Sequence, residues 1–420
     1  MEMKFVHEVF NKVKRYDPPA FFSLPGGRKK MTSARIAESV KTNPAYIRQL
    51  MSALKKAGLI STVQGQAQAA LTRPAEQISM LDIYRAVEGN KPLLHLDIHT
   101  NPECGVGVNI QLAAGDFYRE VQEAAEKKMQ EIKMEKQKKI GLVVEGGGMK
   151  CAYNAGILDA FLDQGITFDY CIGVSGGSGN VASYVAGQRG RNLRFFTDHI
   201  HSPKYFGLKS LLRTGNLFGL EYIYAELTNS TGEDPLDFAA IMKNPAEYEV
   251  VATNALTGEA EYFGKEDMKQ DDYRPIMASS AIPAACRPVE INGVPYYDGG
   301  IADAIPVRHA LEQGCDRLVV ILSKRRDYVR KPQGMRFLYS RLCRKYPKII
   351  EAIYQRHITY AKNQKEVFDL EKEGKAFVFA PSEPIKVGTY SMDEETERKL
   401  YDLGMRDFAD QQEALKKFMS

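Results

Sequence analysis

From residue 139 onward, short unbroken apolar runs alternate with longer segments whose apolar positions follow a helical period. The runs at 140–145, 168–173, 248–254, 318–323 and 376–380 are rich in β-branched residues. Such runs predict strands covered on both faces, because a strand exposed on one face alternates apolar and polar residues. Helical segments at 152–164 and 180–188 follow the first two. Strands and helices in alternation predict an α/β fold, a three-layer α/β/α sandwich with a mainly parallel sheet.

The chain before residue 139 carries a different pattern. A short helix is expected over 32–40, a turn at Lys41-Thr42, and a second helix that Asn43 caps, Pro44 begins and Gly58 ends. Ile47, Met51 and Leu54 form its apolar stripe, leaving Tyr46, Arg48, Gln49 and Ser52 outward. Two short helices joined by a tight turn predict a helix-turn-helix, whose second helix enters a DNA major groove. Runs at 59–64 and 69–72 pair as a small β-wing around Gly65. A long amphipathic pattern over 115–139 then places Phe117, Val121, Ala125, Met129 and Ile132 on one side. A lone helix of this kind needs a partner to bury its stripe. The expected domains are 1–138 and 139–420.

With 420 residues, 44% of them hydrophobic, the chain has length for two or three domains with real cores. Its six cysteines include no Cys-x-x-Cys pair, and residues 1–16 are mixed and charged rather than an apolar leader. Both features predict a reducing, cytoplasmic setting without disulfides. No apolar run approaches the ~20 residues of a membrane span, so lipid contact is expected to be peripheral. Charge is placed unevenly: residues 1–58 hold twelve Lys or Arg against four acids, net +8, on a chain of net +4. That predicts an anionic partner for the front end alone. A second basic stretch, 324–348, interleaves Phe337, Leu338, Tyr339, Leu342 and Tyr346 with Lys and Arg, and Asp327 is its only acid. It suits an anionic membrane surface, or equally a solvated helix on the α/β body.

Two glycine turns carry the candidate chemistry, Gly146-Gly147-Gly148 and Gly173-Val174-Ser175-Gly176-Gly177. Each follows a predicted strand and precedes a predicted helix. Gly-x-Ser-x-Gly on such a turn exposes the serine hydroxyl as a nucleophile. A glycine run offers consecutive free N–H groups with no Cβ in the way, as an oxyanion hole requires. The run lacks the third glycine of Gly-x-Gly-x-x-Gly and the Gly-Lys-Ser/Thr ending of a phosphate loop, and no cofactor is expected. An activated serine needs a base. His199, His201, His309 and His357 sit in no telling context, whereas Asp298 follows a strand-like run at 294–297 and precedes Gly299-Gly300. A carboxylate on a glycine turn accepts a hydroxyl proton directly. His95 and His99, spaced i, i+4 near Cys104, complete no recognisable ligand set, so no metal is expected.

Residues 31–89 resemble the Rrf2 family of winged-helix transcription regulators. The resemblance runs through Ile36-Ala37-Glu38, Asn43-Pro44-Ala45-Tyr46-Ile47-Arg48, Leu54-Lys55-Lys56-Ala57-Gly58-Leu59-Ile60 and Ile83-Tyr84-Arg85-Ala86-Val87-Glu88-Gly89. It implies a DNA-contacting winged helix, with the long helix pairing two copies into a homodimer. The wing reads Gly65-Gln66-Ala67-Gln68-Ala69 where the family is usually glycine-rich. Cys104 stands alone where iron–sulfur members carry a cysteine triad, so no cluster is carried over.

Residues 139–420 resemble the bacterial patatin-like phospholipases. The matching pieces are the two glycine turns, Ala155-Gly156-Ile157-Leu158, Ala278-Ser279-Ser280-Ala281-Ile282-Pro283, and Asp298-Gly299-Gly300 with Ile305-Pro306-Val307. This resemblance implies a Ser–Asp dyad without histidine: Ser175 as nucleophile and Asp298 as base. It further implies that the amides of Gly146, Gly147 and Gly148 hold the oxyanion, that Lys150 supports their loop, and that lipid acyl esters are the substrates. The family loop ends in Arg-Gly where this chain has Lys150-Cys151. Lysine keeps the charge but not the planar fork, and Cys151 adds a side chain beside the loop. The expectation is a serine lipid acyl hydrolase, peripheral at the inner face of the cell membrane, fused to a DNA-binding winged helix. The alternative is a transcription regulator whose α/β half senses a lipid or acyl ligand with little or no turnover.

Overall fold

The computed structural model describes residues 37, 43–62, 69–89, 91, 105–133, 138–384, 387–388 and 392–419. The helix expected over 32–40 (Ala37 apart), the wing tip at Gly65, and His95, His99 and Cys104 lie outside the described residues. The chain divides into two compact units, Met1–Gln137 and Lys138–Ser420.

In the first unit, helix α1 (Pro44–Lys56) begins where Asn43 Oδ1 accepts the Ala45 N–H at 2.8 Å and Pro44 presets the first turn. It buries Ile47, Leu50 and Leu54. Leu50 thus takes the stripe position that periodicity gave to Met51, which is half-buried. Strands β1 (Ile60–Thr62) and β2 (Ala69–Leu71) pair antiparallel as the wing. Helix α2 (Met80–Glu88) opens on a reciprocal cap: Ser79 Oγ accepts the Asp82 N–H at 3.1 Å, and Asp82 Oδ2 accepts the Ser79 N–H at 2.8 Å.

Helix α3 (Gly105–Glu131) starts ten residues before the expected span and ends eight before its close. Gly115 lies inside it rather than opening it. The helix stops because the following backbone is used elsewhere: the Ile132 carbonyl accepts the Met80 N–H at 2.9 Å at the head of α2. Phe117 and Ile132 are exposed in the single chain, and Val121, Ala125 and Met129 are half-buried. Polar contacts join the helix to the α2 segment, with Arg85 on Glu126 at 2.9 Å and Ser79 Oγ on Gln130 Oε1 at 3.3 Å.

The second unit is built on an eight-stranded sheet. Its strands are β3 (Ile140–Val144), β4 (Tyr170–Val174), β5 (Glu247–Asn254), β6 (Ala260–Gly264), β7 (Val289–Ile291), β8 (Val294–Asp298), β9 (Arg317–Ile321) and β10 (Ala376–Phe379). They run in the order β10-β9-β3-β4-β5-β8-β7, with β6 also on β5. The five strands from β10 to β5 are parallel, and β6, β7 and β8 are added antiparallel. Both faces are dry. Along β3, Leu142 and Val144 join one apolar cluster and Val143 the other. Helices α4 (Ala152–Asp163) and α5 (Gly176–Val185) cover the first face, α6 (Pro347–Lys372) the second, and α7 (Glu394–Met419) returns to the first. No helix among the described residues is long and apolar enough to cross a membrane.

Helices α4 and α7 meet at two glycines. A Cβ on Gly156 would lie 2.1 Å from the Tyr401 carbonyl oxygen, and one on Gly404 2.3 Å from that of Tyr153. Hydrogen bonds flank the contact on both sides, Tyr153 Oη to Asp407 Oδ2 at 2.9 Å and Tyr401 Oη to Asp159 Oδ2 at 2.8 Å. Gly156→Ala must therefore separate the helices, and urea unfolding should show a loss of about 1–3 kcal/mol. On α7, Glu397 is fully buried with neither carboxylate oxygen hydrogen-bonded to a described residue. Burial, then the charge of Asp393, pushes its carboxyl up to about 9. The folded state keeps this proton where the unfolded chain releases it near pH 4.5, so wild type loses stability as pH rises between those values. Glu397→Gln removes that penalty, and its stability advantage over wild type should grow from pH 5 to pH 8 in the same unfolding assay.

Candidate active site

Strand β5 decides where the site forms. β4 runs parallel to it and ends with Val174 opposite Val251, while β8 runs antiparallel and ends with Asp298 opposite Ala252. The two strands approach head to head on successive residues of β5. Ser175, one residue past Val174, is thereby brought to Asp298 across 123 residues of sequence: its Oγ donates to Asp298 Oδ2 at 2.7 Å.

Ser175 has φ 54° and ψ −132°, a conformation that costs an L-residue on the order of 1–3 kcal/mol. Its surroundings hold it there. The Ser175 N–H donates to Ser279 Oγ at 2.8 Å, and its carbonyl accepts the Ser178 N–H at 2.9 Å and the Ser178 hydroxyl at 2.6 Å. A Cβ on Gly146 would lie 2.6 Å from Ser175 Cβ, so only glycine lets the first loop approach the turn this closely.

Asp298 is buried and fully engaged. Oδ1 accepts the Gly300 N–H at 2.8 Å, and the Asp298 carbonyl accepts the Thr253 hydroxyl at 2.8 Å. Arg356, on α6, places Nη2 3.9 Å from Oδ1, and its Nε donates to the Gly300 carbonyl at 2.5 Å. Burial and then the like charge of Arg330 lower the Arg356 pKa to about 10, against the pull of Asp298, so it stays a cation at neutral pH.

The loop Gly146–Gly148 is braced from behind. The Gly146 carbonyl accepts from Ser323 Oγ at 2.7 Å and from Lys324 Nζ at 3.1 Å. Lys324 pairs in turn with the buried Glu145 carboxylate, which also accepts the Ser323 N–H at 2.8 Å. A trans peptide directs its N–H opposite to its C=O, so fixing the Gly146 carbonyl turns the Gly147 N–H away from Lys324. Among the described residues no acceptor takes the N–H groups of Gly146, Gly147 or Gly148. Lys150, beside the loop, holds its ammonium 5.9 Å from the Tyr328 ring centroid. Cys151 points into the core with Sγ 3.8 Å from the Glu145 carbonyl, and burial pushes its thiol pKa up.

A cleft of about 800 Å³, its open mouth included, reaches Ser175 and Gly148. Phe195, Phe196, Tyr205, Phe218, Leu220, Ile223, Leu236 and Ile276 make it mostly apolar. Its one buried cation, Arg191, donates to Ser183 Oγ at 2.9 Å, Thr228 Oγ1 at 3.1 Å and the Asp234 carbonyl at 2.9 Å. Burial works to raise the Asp234 pKa, but hydrogen bonds from His199 and Arg194 and the charge of Arg191 outweigh it and hold the carboxyl at about 2. Among the described residues no hydrogen bond joins a histidine of this domain to the dyad: His199 meets Asp234, His201 meets Glu394, His309 meets Glu249, and the buried His357 Nδ1 has no hydrogen-bond partner there. Lys324, Ser323, Ser279 and Arg356 were not singled out from the sequence as site residues. Glu145, directly before the triple glycine, was the one signal within reach.

On α1, Arg48, Gln49 and Ser52 are exposed on one stretch of helix, as expected of groove-facing residues. Tyr46 differs. It is half-buried against the cluster of Ile47, Leu50 and Leu54, because its position also borders the core-facing side. Among the described residues no group of three or more His, Cys, Asp or Glu is placed to hold a metal.

Two known families match successive parts of the chain. The patatin-like phospholipase family matches residues 142–311, and Rrf2, described as an iron-dependent transcriptional regulator, matches residues 22–137. YwnA of Bacillus subtilis (strain 168), named as an HTH-type transcriptional regulator, is 38% identical over 107 residues, 26% of this chain and 80% of YwnA. This chain joins an Rrf2 domain to a patatin-like phospholipase domain. The patatin-like part is 34% identical over 198 residues to the uncharacterized protein YjjU of Escherichia coli (strain K12), covering 44% of this chain. The match spans about half of YjjU, 51% of its length. Residues 346–420 match a family of unknown function, so Arg356 comes from that segment. Among solved structures, CymR of B. subtilis covers 32% of this chain and 91% of its own at 17% identity and TM-score 0.24. VipD of Legionella pneumophila covers 65% and 66% at 14% identity and TM-score 0.34.

The Glu145–Lys324 pair gives this site a test of its own in the patatin-like domain. Lys324→Met leaves a buried carboxylate unpaired and should cost about 3–5 kcal/mol in urea unfolding. Adding Glu145→Gln should recover part of that loss, which a double-mutant cycle would read.

Proposed function

We propose that the patatin-like domain is a serine acyl hydrolase acting on lipid esters through a Ser175–Asp298 dyad. The observation that carries this reading is the 2.7 Å hydrogen bond between them at the end of an apolar cleft. Ser175 Oγ attacks the acyl carbonyl as its proton passes to Asp298 Oδ2. The oxyanion of the tetrahedral intermediate accepts hydrogen bonds from the Gly146–Gly148 amides. Collapse breaks the ester C–O bond, and Asp298 returns the proton to the leaving alkoxide. Water then attacks the acyl-serine with Asp298 again as base, releasing the fatty acid and restoring Ser175. The apolar cleft holds the acyl chain. Exposed Val329, Met335, Phe337 and Leu342, interleaved with Lys and Arg, give the 324–348 stretch the character of a peripheral contact for an anionic membrane.

We propose in the same way that the Rrf2 domain binds DNA, with Arg48, Gln49 and Ser52 of α1 in a major groove and α3 pairing two copies. The two functions are tested separately. Against a short-chain chromogenic ester, Ser175→Ala and Asp298→Asn should each lower kcat by about 10³-fold or more. Undiminished turnover in both would dismiss the dyad. Fluorescence anisotropy with promoter DNA should show affinity that falls with added salt and weakens on Arg48→Ala. Salt-insensitive or absent binding would reduce the domain to an assembly module. Specific DNA binding in a protein that hydrolyses no ester would instead favour a lipid-sensing regulator.

A further inference from the structure

The cleft beside Ser175 has a direction, and α5 gives it. Gly176, Gly179, Asn180 and Ala182 all line the cleft, and the hydroxyl of Ser183 meets Arg191, which lines it too. Spacings of three and four residues put these positions on one face of a helix. The cleft therefore runs along α5, away from the nucleophile. A helix rises about 1.5 Å per residue, so the path from Ser175 to Ser183 is roughly 12 Å long. Small residues keep its floor low. A Cβ on Gly179 would meet Tyr224 Cε1 at 3.4 Å, Tyr224 Oη at 3.5 Å and Ile276 Cγ2 at 3.9 Å, both of them cleft residues.

The far end of this path is a polar wall. Arg191, Thr228 and Leu236 line it, and all three are buried. They are tied to one another: Arg191 Nη2 donates to Thr228 Oγ1 at 3.1 Å, and the Thr228 carbonyl accepts the Leu236 N–H at 3.0 Å. Thr228 Oγ1 donates in turn to the Ile223 carbonyl at 2.6 Å. Behind them, Arg194 grips both Asp234 oxygens at 2.7 and 2.8 Å, and the Asp234 carbonyl accepts from Arg191 Nη2 at 2.9 Å. The Arg191 guanidinium also lies 4.6 Å from the Phe195 ring centroid. Burial lowers its pKa to about 10 against the pull of Asp234, so it stays a cation at neutral pH. An apolar chain gains contact with Phe195, Phe196 and Ile223 along the way. At Arg191 it would have to displace a buried cation from its acceptors, which is strongly unfavourable.

We propose that Arg191 is a specificity-determining residue that stops the acyl chain, so that the substrates are esters of short to medium acyl length. This rests on reading the cleft as an acyl site and names the substrate class within it. An extended chain advances about 1.25 Å per bond, from C–C bonds of ~1.5 Å at angles of ~111°. A path of ~12 Å then holds about eight to ten carbons. Longer chains run into the guanidinium before their carbonyl reaches Ser175.

Hydrolysis of chromogenic nitrophenyl esters by the full-length protein, at one fixed detergent concentration, reads the wall as a chain-length profile. An apolar slot open at its far end would gain about fourfold per added methylene. With the wall, kcat/KM should rise from acetate to octanoate and fall about tenfold or more at hexadecanoate. Gly179→Leu fills the cleft about one helical turn from Ser175 and should lower the octanoate-to-acetate ratio about tenfold or more. Arg191→Met, with Asp234 still held by Arg194 and His199, should raise the hexadecanoate-to-octanoate ratio several-fold. An unbroken rise to hexadecanoate in wild type overturns the wall, as does an Arg191→Met profile identical to that of wild type. If circular dichroism shows Arg191→Met unfolded, Gly179→Leu decides: an unmoved octanoate-to-acetate ratio takes the chain out of this cleft and overturns the proposal. Calorimetry on Ser175→Ala with methyl octanoate and methyl dodecanoate separates the wall from the hydrolase reading. Tighter binding of the octanoate, in a protein whose wild type hydrolyses no ester, removes the hydrolase reading alone. Hydrolysis with no fall at the longer chains removes the wall alone.

Discussion

The register of β5 is the constraint on which the site depends. One strand edge receives β4 from one direction and β8 from the other, and the two end on Val251 and Ala252. A one-residue slip of either pairing would turn Ser175 or Asp298 to the opposite face of the sheet. Buried residues on both faces of β3 and β4 prevent that slip, because each alternate side chain already belongs to one of two packed clusters. The stability of the sandwich is thus also the precision of the dyad. The strained backbone at Ser175 belongs to the same arrangement. It persists because Ser279, Ser178 and the close approach of Gly146 over-determine it.

Electrostatics finish what the register begins. The glycine loop would be free to rotate its peptides, yet the buried Glu145–Lys324 pair and Ser323 fix the Gly146 carbonyl. A buried pair of this kind adds little net stability, since desolvation offsets attraction. Its value here is directional: it selects one orientation of the Gly146–Gly147 peptide, whose N–H meets no acceptor among the described residues. Arg356 does the equivalent at the other end, holding the Gly300 carbonyl while facing Asp298. Cys151, which stands where the family has glycine, leaves this arrangement undisturbed because its side chain fills the core instead.

Much of this was legible in the sequence wherever chemistry and local backbone coincide. Unbroken β-branched runs marked the parallel strands, and glycine turns marked the strand-to-helix corners. Asn43 and Pro44 marked the start of α1. Positions set by tertiary contact were not legible in this way. Periodicity marked the 115–139 helix but not its start at Gly105 or its end at Glu131, where the Ile132 carbonyl turns to the Met80 N–H at the head of α2. Nothing local distinguishes Lys324 from its basic neighbours, or Arg356 from any other helical arginine. Their roles arise only once β9 ends beside β3 and α6 crosses the sheet near Gly300.

The same distinction explains why the basic stretch after β9 resisted a single reading. As sequence it is one amphipathic segment, suited to a membrane or to solvent. In the fold its charges separate by partner. Lys324 is drawn inward by Glu145, Arg326 pairs with Glu371 across two contacts of 2.7 Å, and Arg330 lies 5.7 Å from the Tyr360 ring centroid. A solvated face has no need to hold cations over the buried Tyr360 and the half-buried Tyr328. A membrane-facing surface alone would not place Lys324 against the Gly146 carbonyl. The separation therefore divides this one stretch between exposed Val329, Met335 and Phe337 and a Lys324 held behind the Gly146–Gly148 loop.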